Sequence, residues 1–294
     1  MSGRIRGSMP ALVTPFAEGR IDWDALERLV ERQLAAGSHG VVPVGTTGES
    51  ATLSHEEHEQ VIERVVAIVG GRAPVIAGAG SNNTIEAVRL AQFAAKTGAD
   101  AILSVAPYYN RPSQEGLYQH FKAIHDAAEI PLILYNVPAR TSSDIKVETV
   151  ARLAALPRVI GLKDASADLA RPSQTRLLAP PDFIQLSGED ATAMIFNAAG
   201  GSGCISVTAN VAPELCAQLQ EATFAGDFEQ ARALQDRLMP LHDALFCEPN
   251  PTPAKAALAM LGLCRNEVRS PLTVASEACE ARLRAALSHA GLLS

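Results

Sequence analysis

A lysine lies within an apolar segment, VIGLKDA, at residues 159–165. Because side chains alternate along a strand, Lys163 would share a face with Gly161 and Ala165, while Asp164 would face the other way. The two small residues would leave room for a long side chain. Burial disfavours the ammonium form of a lysine, and a neutral amine can form a Schiff base with a ketone. The alternative is a structural lysine that reaches the rim or pairs with a carboxylate.

Other polar residues with useful chemistry follow neighbouring apolar segments. Tyr135 ends such a segment, and a phenol beside an amine can shuttle the protons that Schiff-base chemistry requires. Thr46 and Thr47 lie between glycines, where hydroxyls and free backbone N–H groups suit a carboxylate. Arg140 could supply a guanidinium for a second carboxylate. Taken singly, each residue has an ordinary alternative: a packed tyrosine at the rim, a hydrogen-bonded turn and a solvated arginine.

Eight apolar, β-branched segments recur along the chain and must position these residues. They are continuous and do not alternate with polar residues, which is typical of strands that are buried on both faces. The segments lie at residues 11–16, 40–45, 74–80, 101–107, 131–137, 159–165, 183–189 and 204–210.

Helical patterns separate these segments. One runs from Trp23 to Ala36, another runs from His55 to Val69 behind a capping box of Ser54 and Glu57, and Asn82 or Asn83 can begin a third. Strands that alternate with helices in this way predict an α/β fold, a (β/α)8 TIM barrel, with an active site at the carboxyl ends of the strands. A doubly wound open sheet is the alternative.

Only helical patterns follow the eighth strand. They cover residues 212–224, 227–246, 252–262 and 276–290, with prolines between them. We therefore expect a catalytic barrel over residues 1–224 and a C-terminal helical extension over residues 225–294.

The overall composition excludes several classes of protein. A net charge of −7 argues against a nucleic acid or an anionic membrane as partner. The cysteine count of five is odd and no CxxC pair occurs, which favours a reducing compartment. The first 16 residues hold no sustained apolar run and no membrane span is evident, so we expect a cytoplasmic protein. His55 and His58 lack the spacing of a zinc-protease motif, and no metal is expected.

Six motifs together resemble the dihydrodipicolinate synthase family, which belongs to the pyruvate-dependent class I aldolases. They occur in order at the predicted strand ends, and the resemblance covers residue 4 to the end of the chain. The motifs are GTTGES (45–50), PYYNRPSQEGLYQHF (107–121), LYNVPART (134–141), GLKDAS (161–166), LSGEDA (186–191) and ISVTANV (205–211).

The resemblance implies a lyase that condenses pyruvate with L-aspartate 4-semialdehyde, which is the committed step toward diaminopimelate and lysine. It implies no metal and no organic cofactor. Lys163 would form the Schiff base, and Arg140 would bind the carboxylate of the semialdehyde. The implied proton relay consists of Tyr135, Thr47 and Tyr109, and Tyr109 would come from a neighbouring subunit. The implied substrate-binding positions are Thr46, Thr47, Arg140, Gly188 and the Ile205 carbonyl.

The resemblance also implies regulation and assembly. Family members that lysine inhibits bind it at the interface of a tight dimer, and the usual assembly is a homotetramer, a dimer of dimers. Glu86 could neutralise the ammonium group of that lysine. The matching positions here are Ser50, Ala51, Leu53, His55, His58, Asn82, Glu86 and Tyr108.

Sibling enzymes and a non-catalytic relative are the competing interpretations. N-acetylneuraminate lyases typically have serine in place of Thr46 and lack Arg140, and the 2-keto-3-deoxy-sugar-acid aldolases and dehydratases also share the barrel and its lysine. A non-catalytic relative would be expected to have lost Lys163 or Tyr135, and both are present. Departures from the family pattern, at Asp164 and at Ser142 and Ser143, affect none of the implied roles.

Overall fold

The strands of the chain are short, and most of them lie within or directly beside the apolar segments from which strands were predicted. The computed structural model describes residues 5–293. Its strands are β1 (Gly7–Pro10), β2 (Phe16–Ala17), β3 (Arg20–Ile21), β4 (Ile76–Gly78), β5 (Ala101–Val105), β6 (Leu132–Asn136), β7 (Val159–Asp164), β8 (Ile184–Ser187) and β9 (Gly203–Ser206).

Seven of these strands form one parallel sheet in the order β1-β9-β8-β7-β6-β5-β4. Residues 41 and 42 lie between the two ends of that order. Val42 forms a parallel bridge with Ala11, and Val41 forms one with Val75. The Ile76 N–H also donates a 2.9 Å hydrogen bond to the Val41 carbonyl. This segment acts as the eighth strand and closes the sheet into a (β/α)8 barrel, as predicted.

The predicted position of the first strand was wrong. It was expected at residues 11–16, but β1 lies at Gly7–Pro10, and Phe16 pairs instead with Ile21 in a small antiparallel hairpin. Gly7 pairs with Gly203, where an added Cβ would lie 2.3 Å from the Gly7 carbonyl oxygen. Such close backbone approach depends on glycine, which a search for apolar segments overlooks. The second segment, 40–45, contributes single bridges rather than a regular strand.

The helices agree with the helical patterns to within two residues. The capping box of Ser54 and Glu57 is present at the start of α2, and Asn83 caps α3. The helices are α1 (Trp23–Ala35), α2 (His55–Val69), α3 (Thr84–Thr97), α4 (Gln114–Ala127), α5 (Pro138–Thr141), α6 (Val147–Ala154), α7 (Arg171–Leu178), α8 (Ala193–Ala198), α9 (Pro213–Phe224), α10 (Phe228–Ala244), α11 (Thr252–Met260) and α12 (Glu277–His289).

The buried apolar side chains form three clusters. One fills the barrel interior and includes Met9, Ile133 and Leu186. A second packs strands against the helices around them, and a third joins the end of the barrel to α9–α12. The barrel interior is therefore a packed core of side chains, and the polar residues described above are found at the carboxyl ends of its strands.

No helix within residues 5–293 combines the length and the apolar character that crossing a membrane would need.

Candidate functional site

Lys163 and Tyr135 lie side by side at the carboxyl end of the barrel. They are Cα partners in the parallel pairing of β6 with β7. The lysine Nζ lies 4.2 Å from the centre of the Tyr135 ring. Both side chains are almost fully buried, with 6% and 8% of their surface exposed. The predicted amine and phenol thus share one enclosed space.

A glycine on the neighbouring strand end provides the room for Lys163. A Cβ added at Gly188 would lie 2.6 Å from Ala165 Cβ and 3.0 Å from Lys163 Cε. The expectation that Gly161 makes this room was wrong. A Cβ at Gly161 would lie 2.7 Å from the Ile184 carbonyl, so Gly161 allows β7 and β8 to approach each other.

Asp164 faces away from Lys163, as the alternation of side chains along β7 predicted. Its Oδ2 accepts a 3.0 Å hydrogen bond from Arg171 Nε, and both side chains are buried. The Glu189 carboxyl group is close enough to Lys163 for the two charges to interact. Burial raises the pKa of Glu189, while the charges of Lys163 and Arg140 oppose that rise. Sequence reasoning assigned Glu189 no role, although its GED motif was noted.

The Thr46–Thr47 turn is held in an unusual backbone conformation. Val44 has φ of 49° and Glu49 has φ of 55°. A β-branched residue rarely adopts a positive φ, so Val44 is strained. Gly78 makes the conformation possible, because a Cβ there would lie 2.3 Å from the Val44 carbonyl oxygen. Thr46 is exposed, whereas Thr47 is buried.

The C-terminal extension contributes a side chain to this turn. Asn250, between α10 and α11, donates a 2.9 Å hydrogen bond from Nδ2 to Thr47 Oγ1. Asn250 is buried, and its Oδ1 has no partner among the residues that the structure describes. Sequence reasoning missed this residue. The available signal was its position between Pro249 and Pro251.

A buried ion pair connects the extension to the same turn. Lys255 is fully buried and pairs with Glu49. Lys255 Nζ also donates to the Glu267 carbonyl at 2.8 Å, and the Arg269 N–H donates to Glu49 at 2.9 Å. Burial lowers the pKa of Lys255, and the attraction of Glu49 opposes the change. Two buried side chains, Lys255 and Glu49, thus link this turn to the C-terminal extension.

A cavity of about 90 Å³ lies above the lysine. Arg140, on α5, is exposed and lines it. The residues around it include Thr46, Thr47, Tyr135, Arg140, Lys163, Gly188, Glu189 and Asn250. The structure thus brings most of the predicted catalytic and substrate-binding residues into one place.

Two predicted residues do not line this cavity. Tyr109 is 90% exposed and adopts φ of 71°, which is unusual for a bulky residue. Ile205 is buried in the barrel interior, where it packs in the same cluster as Tyr135. Their predicted roles, in a neighbouring subunit and through a backbone carbonyl, stay predictions.

A second cavity, of about 620 Å³, adjoins the first. It is lined by all the predicted lysine-binding residues except Asn82, namely Ser50, Ala51, Leu53, His55, His58, Glu86 and Tyr108. Asn82 lies next to it and donates a 3.1 Å hydrogen bond to the Tyr108 carbonyl. The two cavities share Thr46, Ser50, His58, Arg140 and Asn250 among their lining residues.

Glu86 and two histidines lie together in the wall of this second cavity, which Glu49 and Arg140 also line. His55 Nε2 lies 3.3 Å from Glu86 Oε1. Burial lowers the pKa of His58 to about 4, so His58 is neutral near pH 7. Glu86 is therefore positioned to meet a cationic ligand.

Residues 5–293 contain no group of three or more His, Cys, Asp or Glu side chains that could hold a metal ion.

Known proteins resemble this chain over nearly its whole length. The model of the dihydrodipicolinate synthetase family matches residues 4–290. A 4-hydroxy-tetrahydrodipicolinate synthase of Ruegeria pomeroyi is 62% identical over 98% of this chain and 99% of its own length.

Solved structures agree with this match. The chloride-inhibited dihydrodipicolinate synthase of Acinetobacter baumannii, complexed with pyruvate, superposes with a TM-score of 0.96 at 46% identity, over 98% of this chain and 100% of the other. The dihydrodipicolinate synthase of Cyanidioschyzon merolae, with lysine bound, gives a TM-score of 0.96 at 40% identity and 99% coverage of both chains. With a lysine and a tyrosine paired at the end of its barrel, the chain belongs to the dihydrodipicolinate synthetase family.

Proposed function

We propose that the protein is a 4-hydroxy-tetrahydrodipicolinate synthase, which condenses pyruvate with L-aspartate 4-semialdehyde. The observation that supports this most is the contact of Lys163 with Tyr135 in a small buried cavity. An enclosed amine beside a phenol suits a ketone that must form an imine and exchange protons. High identity to relatives with this name supports the same conclusion.

The reaction begins with attack of the Lys163 amine on the keto carbon of pyruvate. The resulting carbinolamine loses water to form an imine, and loss of a proton from the methyl carbon gives the enamine. The enamine carbon attacks the aldehyde carbon of the second substrate, and the aldehyde oxygen takes up a proton to become a hydroxyl. The amino group of that substrate then attacks the imine carbon and displaces Lys163, which closes the ring and regenerates the enzyme.

Proton transfer in these steps is assigned to Tyr135, Thr47 and Tyr109. The Tyr135 ring lies beside the amine, and Thr47 lines the same cavity. Tyr109 would enter the cavity of a neighbouring subunit, which its 90% exposure in this chain allows.

The carboxylates of the two substrates are assigned to different groups of the site. Thr46 and Thr47 would hold the carboxylate of pyruvate, with Gly188 and the Ile205 carbonyl beside it. Arg140 would hold the carboxylate of the semialdehyde, and it lies on the side that both cavities share. A guanidinium can bind a carboxylate through two parallel hydrogen bonds.

L-Lysine is the proposed inhibitor, bound in the second cavity with Glu86 opposite its ammonium group. The cavity is large enough for an amino acid and is lined by nearly all the predicted positions. Shared lining residues, among them Thr46 and Arg140, provide direct contact between the inhibitor site and the active site.

A homotetramer built as a dimer of dimers is the proposed assembly, and the cytoplasm is the proposed location. The exposed Tyr109 and Tyr108 support a tight dimer, since aromatic side chains are enriched in protein interfaces relative to the rest of the surface. The barrel is proposed to span residues 1–224 and the extension residues 225–294, of which residues 1–4 and 294 lie outside the described part of the chain.

Reduction of the imine tests the proposed chemistry. The protein is incubated with pyruvate, reduced with borohydride and digested, and its peptides are weighed by mass spectrometry. We expect a pyruvate-sized increment on the peptide that holds Lys163, and none in K163A. K122A serves as the matched control, because Lys122 lies on the exposed surface of α4. An increment on another lysine, or none at all, would contradict the proposal.

A further inference from the structure

We propose that Cys247 and Cys279 form an oxidation site in the C-terminal extension, a thiol pair that a hydroperoxide converts into a disulfide bond. Cys247 lies three residues after α10, and Cys279 lies in the first turn of α12. Both are free thiols, and their Sγ atoms are 3.0 Å apart although the residues are 32 positions apart along the chain. A disulfide bond is about 2 Å long, so its formation here needs a movement of only about 1 Å.

Neighbouring hydrogen bonds hold the two cysteines beside each other. Glu248, which follows Cys247, accepts hydrogen bonds from both the N–H and the hydroxyl of Ser276. The Ser276 hydroxyl in turn caps α12 by accepting a 3.2 Å hydrogen bond from the Cys279 N–H. One glutamate and one serine thus join the end of α10 to the start of α12, so the distance between the thiols does not depend on their side-chain rotamers alone.

Cys247 is the thiol that an oxidant reaches first. It is half-buried, and it lines a cavity of about 290 Å³ together with Phe246 and Arg282. Cys279 is buried, and burial, the hydrogen bond with Cys247 and the charge of Glu248 raise the pKa of Cys279 to about 12. Its thiol therefore stays protonated near pH 7, and a protonated thiol is a poor nucleophile. Cys247 is thus the attacking thiol, and Cys279 is the thiol that completes the bond.

The oxidation takes place in two steps. The Cys247 thiolate attacks one oxygen of hydrogen peroxide, the O–O bond breaks, and a sulfenic acid forms while the other oxygen takes up a proton and leaves as water. Cys279 then loses its proton and attacks the Cys247 sulfur, which releases the sulfenic oxygen as a second water. The two thiols lose two protons and two electrons in total. Proximity compensates for the low thiolate fraction of Cys279, because groups held in contact react far faster than free molecules do.

The disulfide would close a loop that contains the contacts between the extension and the barrel. The loop spans residues 248–278, which include Asn250, Lys255 and Arg269, and these three residues bind the turn at Thr47 and Glu49. A disulfide stabilises a protein mainly by restricting its unfolded chain, and the effect is larger for longer loops. Because the thiols need to approach by only about 1 Å, we expect the oxidised protein to be more stable and to keep the geometry around Lys163.

Peptide mapping tests whether the bond forms. The protein is reduced, freed of reductant, treated with equimolar hydrogen peroxide, alkylated with N-ethylmaleimide and digested without reduction. We expect two peptides joined through Cys247 and Cys279, about 2 Da lighter than the two reduced peptides together because two hydrogens are lost, and dithiothreitol should separate them. C247S and C279S should lack the joined peptides. C264S is the matched control and should retain them, because Cys264 is also a half-buried free cysteine.

Oxidation in urea distinguishes proximity in the fold from the reactivity of the thiols themselves. Any two of the five cysteines can meet in an unfolded chain, so the Cys247–Cys279 peptides should become a minor product there. Equal proportions of these peptides in the folded and the unfolded protein would overturn the proposal. Sulfinic or sulfonic acid on Cys247 of the folded protein, without the joined peptides, would overturn it as well.

Thermal unfolding measures the effect of the closed loop on stability. The midpoint of the oxidised wild type should lie roughly 4 °C or more above that of the reduced protein, and peroxide-treated C247S should show no such increase. After the peroxide is removed, the oxidised wild type should still form the pyruvate imine at the rate of the reduced protein. An unchanged or lower midpoint would overturn the stabilising effect of the disulfide. Peptide mapping and thermal unfolding require no catalytic activity, so their outcome is independent of the proposed function.

Discussion

Lys163 on β7 and Tyr135 on β6 are Cα partners, and the lysine nitrogen lies 4.2 Å from the centre of the tyrosine ring. Parallel pairing places both side chains at the same height on the same face of the barrel. The hydrogen-bond register of two strands thus determines the distance between the amine and the phenol, and loop movements cannot separate them. Reactive groups on strands are held more precisely than groups on loops.

Gly188 is expected to be intolerant of even a methyl group. G188A would place a Cβ 3.0 Å from Lys163 Cε and 2.6 Å from Ala165 Cβ, so the lysine must leave its present position. We expect the pyruvate imine to form at least tenfold more slowly, because moving the amine should raise the activation free energy by roughly 1.4 kcal/mol or more. Borohydride trapping over time would measure this rate. Because A165G removes the shorter contact, G188A/A165G should recover part of the rate. Normal trapping in G188A would show that the cavity is wider than the structure indicates.

Arg140 should affect the second substrate and not the first. R140A should form the pyruvate imine normally but show a higher KM for the semialdehyde, since a lost charge-assisted hydrogen bond costs about 1.5–3 kcal/mol. That range corresponds to roughly 10- to 150-fold in binding. Steady-state kinetics with each substrate varied would measure it. R152A is the control, because Arg152 pairs with Glu115 on the exposed surface between α4 and α6. Unchanged semialdehyde kinetics would remove Arg140 from the site.

Glu86 should control sensitivity to lysine. E86Q keeps the shape of the side chain but removes the charge opposite an ammonium group, so the lysine concentration for half inhibition should increase at least tenfold. Initial rates with increasing lysine would measure this. E59Q is a matched control, since Glu59 on α2 pairs with Arg89 on α3 and neither residue lines the second cavity. A wild type that millimolar lysine does not inhibit would contradict the assignment of the cavity.

The Lys255–Glu49 pair should matter for stability more than any exposed pair. K255M leaves Glu49 buried without its partner, which typically costs about 3–5 kcal/mol. Urea unfolding should show that loss, and E49Q/K255M should be more stable than K255M because the uncompensated charge is gone. K122A provides the comparison for an exposed lysine, where a loss under about 1 kcal/mol is expected. Equal losses for K255M and K122A would mean that the pair adds nothing to the stability of the turn.

Local patterns in the sequence were sufficient for the helices and for most of the strands. Helical spacing and the Ser54–Glu57 capping box depend on residues three or four positions apart, and α2 begins and ends where they predict. Continuous apolar segments such as residues 131–137 likewise reflect burial on two faces, so the barrel could be predicted from their number and spacing. The motifs at the strand ends predicted that Lys163, Tyr135 and the two threonines form one site, and these residues line one cavity.

The remaining features depend on contacts between distant parts of the chain. The position of β1 depends on Gly203, which pairs with Gly7, and neither residue is apolar enough to mark a strand. The room for Lys163 comes from Gly188 on a neighbouring strand end and not from Gly161 on its own strand. Asn250 meets Thr47 across 203 positions. Sequence periodicity records how deeply a residue is buried, but which side chains meet is decided only when the sheet closes and the extension packs against the barrel.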